Sequence, residues 1–109
     1  MMPSERWEAY IASVLMDTRV PCAQRVALLS TWLRVLEANP EIAFPSSSRD
    51  RETNNLYLSW NPPGKVLDIE IHPSGQTEWF YRDFAKDADD GSDDGDVSGF
   101  LRYAKEFSR

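Results

Sequence analysis

The 109 residues leave room for one domain, and a chain this long buries roughly 60 to 70% of its unfolded surface, enough for a core without disulfide or metal staples. Apolar residues make up 41% and aromatics 12% of the chain, which excludes global disorder. The net charge of −6 excludes the basic footprint that phosphate binding needs, so nucleic acid is not expected as a direct ligand and a basic protein is the easier partner.

The charge is unevenly placed. Residues 1 to 55 carry six basic and seven acidic groups, and residues 56 to 109 carry six basic and eleven acidic ones. Cys22 is the sole cysteine, so no internal disulfide can form, no Cys-based zinc site is available, and a reducing cytoplasm fits best. The opening MMPSERWEAY has no basic segment followed by an apolar one, and no apolar run approaches the roughly 18 residues that span a bilayer, so neither export nor membrane insertion is expected.

From residue 4 to 16, SERWEAYIASVLM places Trp7, Tyr10, Ile11, Val14 and Leu15 on one helical face, with Ser4 as a candidate N-cap. Pro21 breaks this helix and suits the first turn of another, expected from Pro21 to Ala38. In that second helix Cys22, Val26, Leu29, Leu33 and Leu36 alternate by four and three, while Leu28, Trp32 and Val35 widen the stripe. Asn39 is read as a left-handed cap and Pro40 as the stop, and the short link makes residues 4 to 38 an antiparallel helical hairpin. Residues 40 to 55 are polar and read as an exposed loop.

LYLSW, KVLDIEIH and TEWFYRD follow, separated by the turn compositions NPPG and PSGQ, and predict a three-stranded antiparallel meander over 56 to 83. Alternation puts Leu56, Leu58, Trp60, Leu67, Ile69, Ile71, Trp79 and Tyr81 on an apolar face. Tyr57, Asp68, Glu70, His72, Glu78, Phe80 and Arg82 then share the other, solvated face. KDADDGSDDGD, with Asp87, Asp89, Asp90, Asp93, Asp94 and Asp96, reads as an acidic loop over 84 to 96, and 97 to 107 as a short amphipathic helix. The expected class is α+β in the order ααβββα, in a single domain.

The aspartates match part of the spacing of a calcium loop. Starting at Asp90, the run supplies acceptors at Asp90, Ser92, Asp94, Asp96 and Ser98 with Gly95 at the sharp turn, but Leu101 stands where a bidentate glutamate is required. No metal or cofactor is expected. The plain reading of the run is a solvated, self-repelling loop. The sharper one adds it to Asp68, Glu70 and Glu78 as a surface that takes the place of phosphates against the Lys and Arg of a partner. Phe80 and Tyr57 are candidate anchors within that surface, although Phe80 could instead lie beneath the loop from Pro40 to Asn55.

Nothing points to catalysis. The single histidine, His72, lies at a strand end with no nucleophile motif to serve, and Cys22 falls in the apolar series of its helix, which favours core packing. Asp68 and Glu70 on a solvated face read as solubility devices, and no phosphate-binding loop, dinucleotide fingerprint or HExxH is present.

The segment LYLSWNPPGKVLDIEIHPSGQTEWFYRD, with its WxxPxxxLxIEIxPxGxxEWFYRD pattern, resembles a hairpin found in small acidic bacterial and phage proteins without a characterised activity. In size and charge the chain is similar to immunity proteins, antitoxins and anti-CRISPR inhibitors. That similarity implies a non-enzymatic inhibitor that covers the basic surface of a nucleic-acid-binding effector. The alternative is a structural or assembly protein that forms a homodimer through the helical hairpin.

Overall fold

The structure, a computed structural model, describes residues 3–92 and 98–108. Two helices come first, α1 at Pro3–Met16 and α2 at Cys22–Ala38. Five strands follow: β1 at Ser46–Arg49, β2 at Leu56–Trp60, β3 at Lys65–Ile71, β4 at Thr77–Asp83 and β5 at Ala88–Ser92. The chain closes with α3 at Ser98–Ala104 and a 3₁₀ turn at Lys105–Phe107. All five strands form one antiparallel sheet in chain order, so each strand pairs with its sequence neighbours.

The class is α+β, but the expected three-stranded meander is corrected to five strands. Both additions lie in segments too polar to read as strands. In β1, SSSR pairs Ser47 with Leu58 and Arg49 with Leu56, and in β5, ADDGS pairs Asp90 with Tyr81 and Asp89 with Arg82. An edge strand needs only its backbone ladder on one side, and polar or charged side chains there discourage further pairing, so neither carries an apolar signature. The expected loop over 40 to 55 is ordered too: the Asp50 carboxylate accepts from the Glu52 and Thr53 amides (2.8 and 3.2 Å), and Trp60 Nε1 donates to the Ala43 carbonyl at 2.8 Å.

Strict alternation in the central strands builds the core. Leu56, Leu58, Trp60, Leu67, Ile69, Ile71, Trp79 and Tyr81 are buried beneath the helices, together with Ile11 and Val14 of α1, Leu28, Trp32 and Val35 of α2, and Phe100 and Phe107 near the C-terminus. Each fully buried aliphatic side chain contributes about 1.5–3 kcal/mol by leaving water. Gln24 is fully buried and ties α2 to the sheet, its amide donating to the Ile71 carbonyl (2.9 Å) and the Asn54 carbonyl (2.8 Å).

Several local readings are corrected. α1 begins at Pro3, so Ser4 lies within its first turn, and the side chains of Trp7 and Leu15 lie outside the described residues. α2 turns its Leu28, Trp32 and Val35 side to the core, which leaves Val26, Leu29 and Leu33 exposed and Cys22 exposed with them instead of packed. The reason is geometric: a helix apolar on two adjoining stripes can bury only one against a sheet. Asn39 caps α2 in extended backbone, at φ −150°, not in the left-handed region. Its side chain donates to the Ala104 carbonyl and Ser108 Oγ, at 3.1 and 3.0 Å, and accepts from the Glu41 amide, which fastens the end of α2 to the C-terminal segment.

Candidate functional site

With the helices on one face, no element among the described residues covers the other face of the sheet, and strand register sorts its side chains into cross-strand rows. One row runs Ser48, Tyr57, Glu70, Glu78, and the next runs Ser46, Ser59, Asp68, Phe80, Gly91. The β3–β4 turn fixes this alignment. The His72 amide donates to the Gln76 carbonyl (2.9 Å) and the Gly75 amide to the His72 carbonyl (2.8 Å), with Gly75 at φ +93°, where any Cβ is strained.

Two carboxylates of this face, Glu70 and Asp68, are held by neutral donors. Glu70 Oε1 accepts from Asn55 Nδ2 at 2.6 Å and from the Tyr57 hydroxyl at 2.9 Å, and Asp68 Oδ1 accepts from Ser59 Oγ at 2.5 Å. The hydrogen bond to Glu70, with burial second, raises the Tyr57 hydroxyl above its ordinary pKa and keeps it a donor. Glu78 Oε2 lies 3.4 Å from His72 Nε2. Arg82 does not offset the charge elsewhere on the face: its guanidinium is taken up by Asp87 (3.0 Å) and Asp89 (3.1 Å) and stacks 5.2 Å from the Phe84 ring centroid.

Phe80 stands exposed at 43%, and the loop from Pro40 to Asn55 does not cover it. Across from it, a Cβ on Gly91 would come within 2.8 Å of the Trp79 carbonyl oxygen and 3.8 Å of the Phe80 ring, so any larger residue there would force a shift. Tyr57, Asp68, Glu70, Glu78, Phe80 and Gly91 line an open groove of about 710 Å³. Its walls are acidic and aromatic.

The sequence-derived site residues therefore divide into three groups. Tyr57, Asp68, Glu70, Glu78 and Phe80 come together in the groove, with Asp87 and Asp89 beside it on Arg82. Asp90 does not join them. One residue further along β5, it lies on the helix side and accepts from the Tyr103 hydroxyl (2.7 Å), Arg102 (2.8 Å) and the Gly91 amide (2.8 Å), and its pKa is lowered, first by Tyr103 and then by the Gly91 amide. Asp90 and Ser92 thus stand in extended strand, not at the start of a calcium loop, while Asp93, Asp94 and Asp96 lie outside the described residues.

His72 was placed on this face by strand alternation but left out of the expected site. It follows Glu70 by two on the same face, and the turn brings Glu78 directly opposite Glu70, so the three sit together. The signal was present in EIHPSGQTE, where the hairpin register alone makes neighbours of its first and last residues.

No helix among the described residues is long and apolar enough to cross a membrane. Comparison with protein-family models, curated proteins and solved structures finds no match for this chain.

Proposed function

We propose that the chain is a non-enzymatic, cytoplasmic protein-binding inhibitor whose open sheet face covers the basic surface of a nucleic-acid-binding effector, in the manner of anti-CRISPR, antitoxin or immunity proteins. The observation that carries this reading is the groove itself, where Asp68, Glu70 and Glu78 surround an exposed aromatic ring and Arg82 is already neutralised by Asp87 and Asp89. A partner's Lys and Arg gain charge-assisted hydrogen bonds from free carboxylate oxygens, and Phe80 supplies a desolvated anchor of the kind that dominates interface energetics. Tyr57, held by Glu70, frames the anchor without having to be reordered.

The test is capture of a basic, nucleic-acid-binding partner on immobilised protein across a salt series. A stoichiometric partner whose retention falls with salt and whose nucleic-acid binding is blocked supports the reading. Recovery of the chain alone contradicts it.

A second reading has its own observation. On α2 the exposed residues Cys22, Val26, Leu29 and Leu33 repeat by four, three and four, the spacing of a helix–helix seam, so self-association through that stripe is the alternative. Loss of dimer in Leu33→Ser without unfolding favours it, and a strict monomer at high concentration removes it.

A further inference from the structure

The neighbourhood of Glu70 and Glu78 contains two features that docking of a basic protein does not require. First, the two glutamates are directly opposite each other on adjacent strands, a like-charge pairing that is ordinarily destabilising. The donors holding Glu70 are neutral and leave its charge uncompensated. Second, His72 Nε2 is itself shielded from water and makes no hydrogen bond, although the side chain as a whole is 29% exposed and Glu78 Oε2 is only 3.4 Å away. A polar nitrogen shielded from water without a partner is destabilising unless something else occupies its lone pair. One group would resolve both features: a cation bound between the three side chains.

We propose that Glu70, His72 and Glu78 form a three-ligand site for a divalent transition-metal ion of the zinc class, with its fourth position open to water. Each of the three offers a ligand atom, and these atoms all lie within 4.8 Å of one another. Ligands about 2.0–2.2 Å from a tetrahedral zinc ion stand about 3.3–3.6 Å apart. The 3.4 Å between His72 Nε2 and Glu78 Oε2 already matches that edge.

The donor set also selects the ion. One imidazole with two carboxylates suits zinc and its transition-metal neighbours, whereas calcium and magnesium take oxygen ligands. The surroundings supply the support that ligating carboxylates need. Asn55 Nδ2 and the Tyr57 hydroxyl both donate to Glu70 Oε1, which orients the carboxylate and leaves Oε2 to face the ion. The site sits on two paired strands whose register the Gly75 turn fixes, so binding requires rotation of side chains and no rearrangement of backbone.

This site does not depend on the docking reading, because it is measured with zinc alone and no partner protein. The experiment is calorimetric titration of the untagged protein with Zn²⁺, with the ring resonances of His72, the only histidine in the chain, followed in parallel. The expected result is saturable one-to-one binding, a shift of the His72 ring signals at the same stoichiometry, and a rise in Tm with zinc concentration. His72→Ala and Glu78→Gln each lower the affinity at least about 100-fold, Tyr57→Phe lowers it about tenfold by releasing Glu70, and Glu37→Gln on α2 changes nothing. Cobalt in place of zinc gives the visible absorption of a tetrahedral ion. Absence of saturable binding overturns the site, as does binding that survives in His72→Ala and Glu78→Gln, which would mark adventitious attachment to surface carboxylates.

Discussion

The two faces of the sheet come from the same three central strands, residue by residue in alternation, and they differ in what determines their side chains. On the inner face every position from Leu56 to Tyr81 answers to the helices above it, and the result is an ordinary apolar core. On the outer face no helix among the described residues covers Asp68, Glu70, Glu78 or Phe80, and their carboxylates gather around an exposed ring. Folding accounts for the first set and not for the second. The same contrast recurs in β5, where Asp89 faces Arg82 on the open side and Asp90, its neighbour, faces Tyr103 on the helix side.

The comparison is most strongly tested by removing core volume. Leu67→Ala, at a position with no exposure, is expected to cost about 2–5 kcal/mol in chemical denaturation, through lost burial and a residual cavity. Phe80→Ala, on the neighbouring strand but the outer face, is expected to stay within about 0.5 kcal/mol of wild type in the same measurement while weakening partner binding by about 2 kcal/mol. Equal stability losses at the two positions would mean that the outer face is structural after all.

A finer contrast lies within β5. Asp90→Ala removes the acceptor for Tyr103, Arg102 and the Gly91 amide, so it is expected to lower Tm measurably, whereas Asp89→Ala leaves Tm near that of wild type. Proton linkage gives the smallest and broadest signal. Asp90 and Glu106 have lowered pKa values in the fold; for Glu106, burial works to raise it but is outweighed by hydrogen bonds from Lys65 and Tyr81. Groups lowered on folding contribute stability above the unfolded carboxylate range, and that stability is lost as pH falls through their folded values. Tyr81 moves the other way, pushed up to about 12 by burial and then by Glu106, so the unfolded chain ionises first and stability falls as pH rises from about 10. Thermal unfolding across pH checks both limbs.

Much of this was legible in the sequence because strand alternation is a strong signal when one face is buried. LYLSW and TEWFYRD carry it without interruption, and their burial follows it residue by residue. The same alternation brought Tyr57, Asp68, Glu70, Glu78 and Phe80 to one face. β1 and β5 were not legible, since SSSR and ADDGS owe their conformation to the unpaired backbone of β2 and β4 and not to their own side chains. For α2, periodicity offered two adjoining stripes and could not show which the sheet would take; the regular one, with Cys22, Val26, Leu29 and Leu33, was left outside. Asp90 was misassigned because a polar run gives no sign of where strand alternation begins.

The central claim is that the open sheet face is the working surface, and it is tested most directly by salt-resolved capture of the basic partner on three proteins in parallel. These are the wild type, the outer-face variant Asp68→Lys with Phe80→Ala, and the helix-stripe variant Leu33→Ser, each first verified as folded. The account expects the partner on wild type and Leu33→Ser and its loss from the outer-face variant. Retention by the outer-face variant, or loss only from Leu33→Ser, would contradict it and move the function to the exposed stripe of α2.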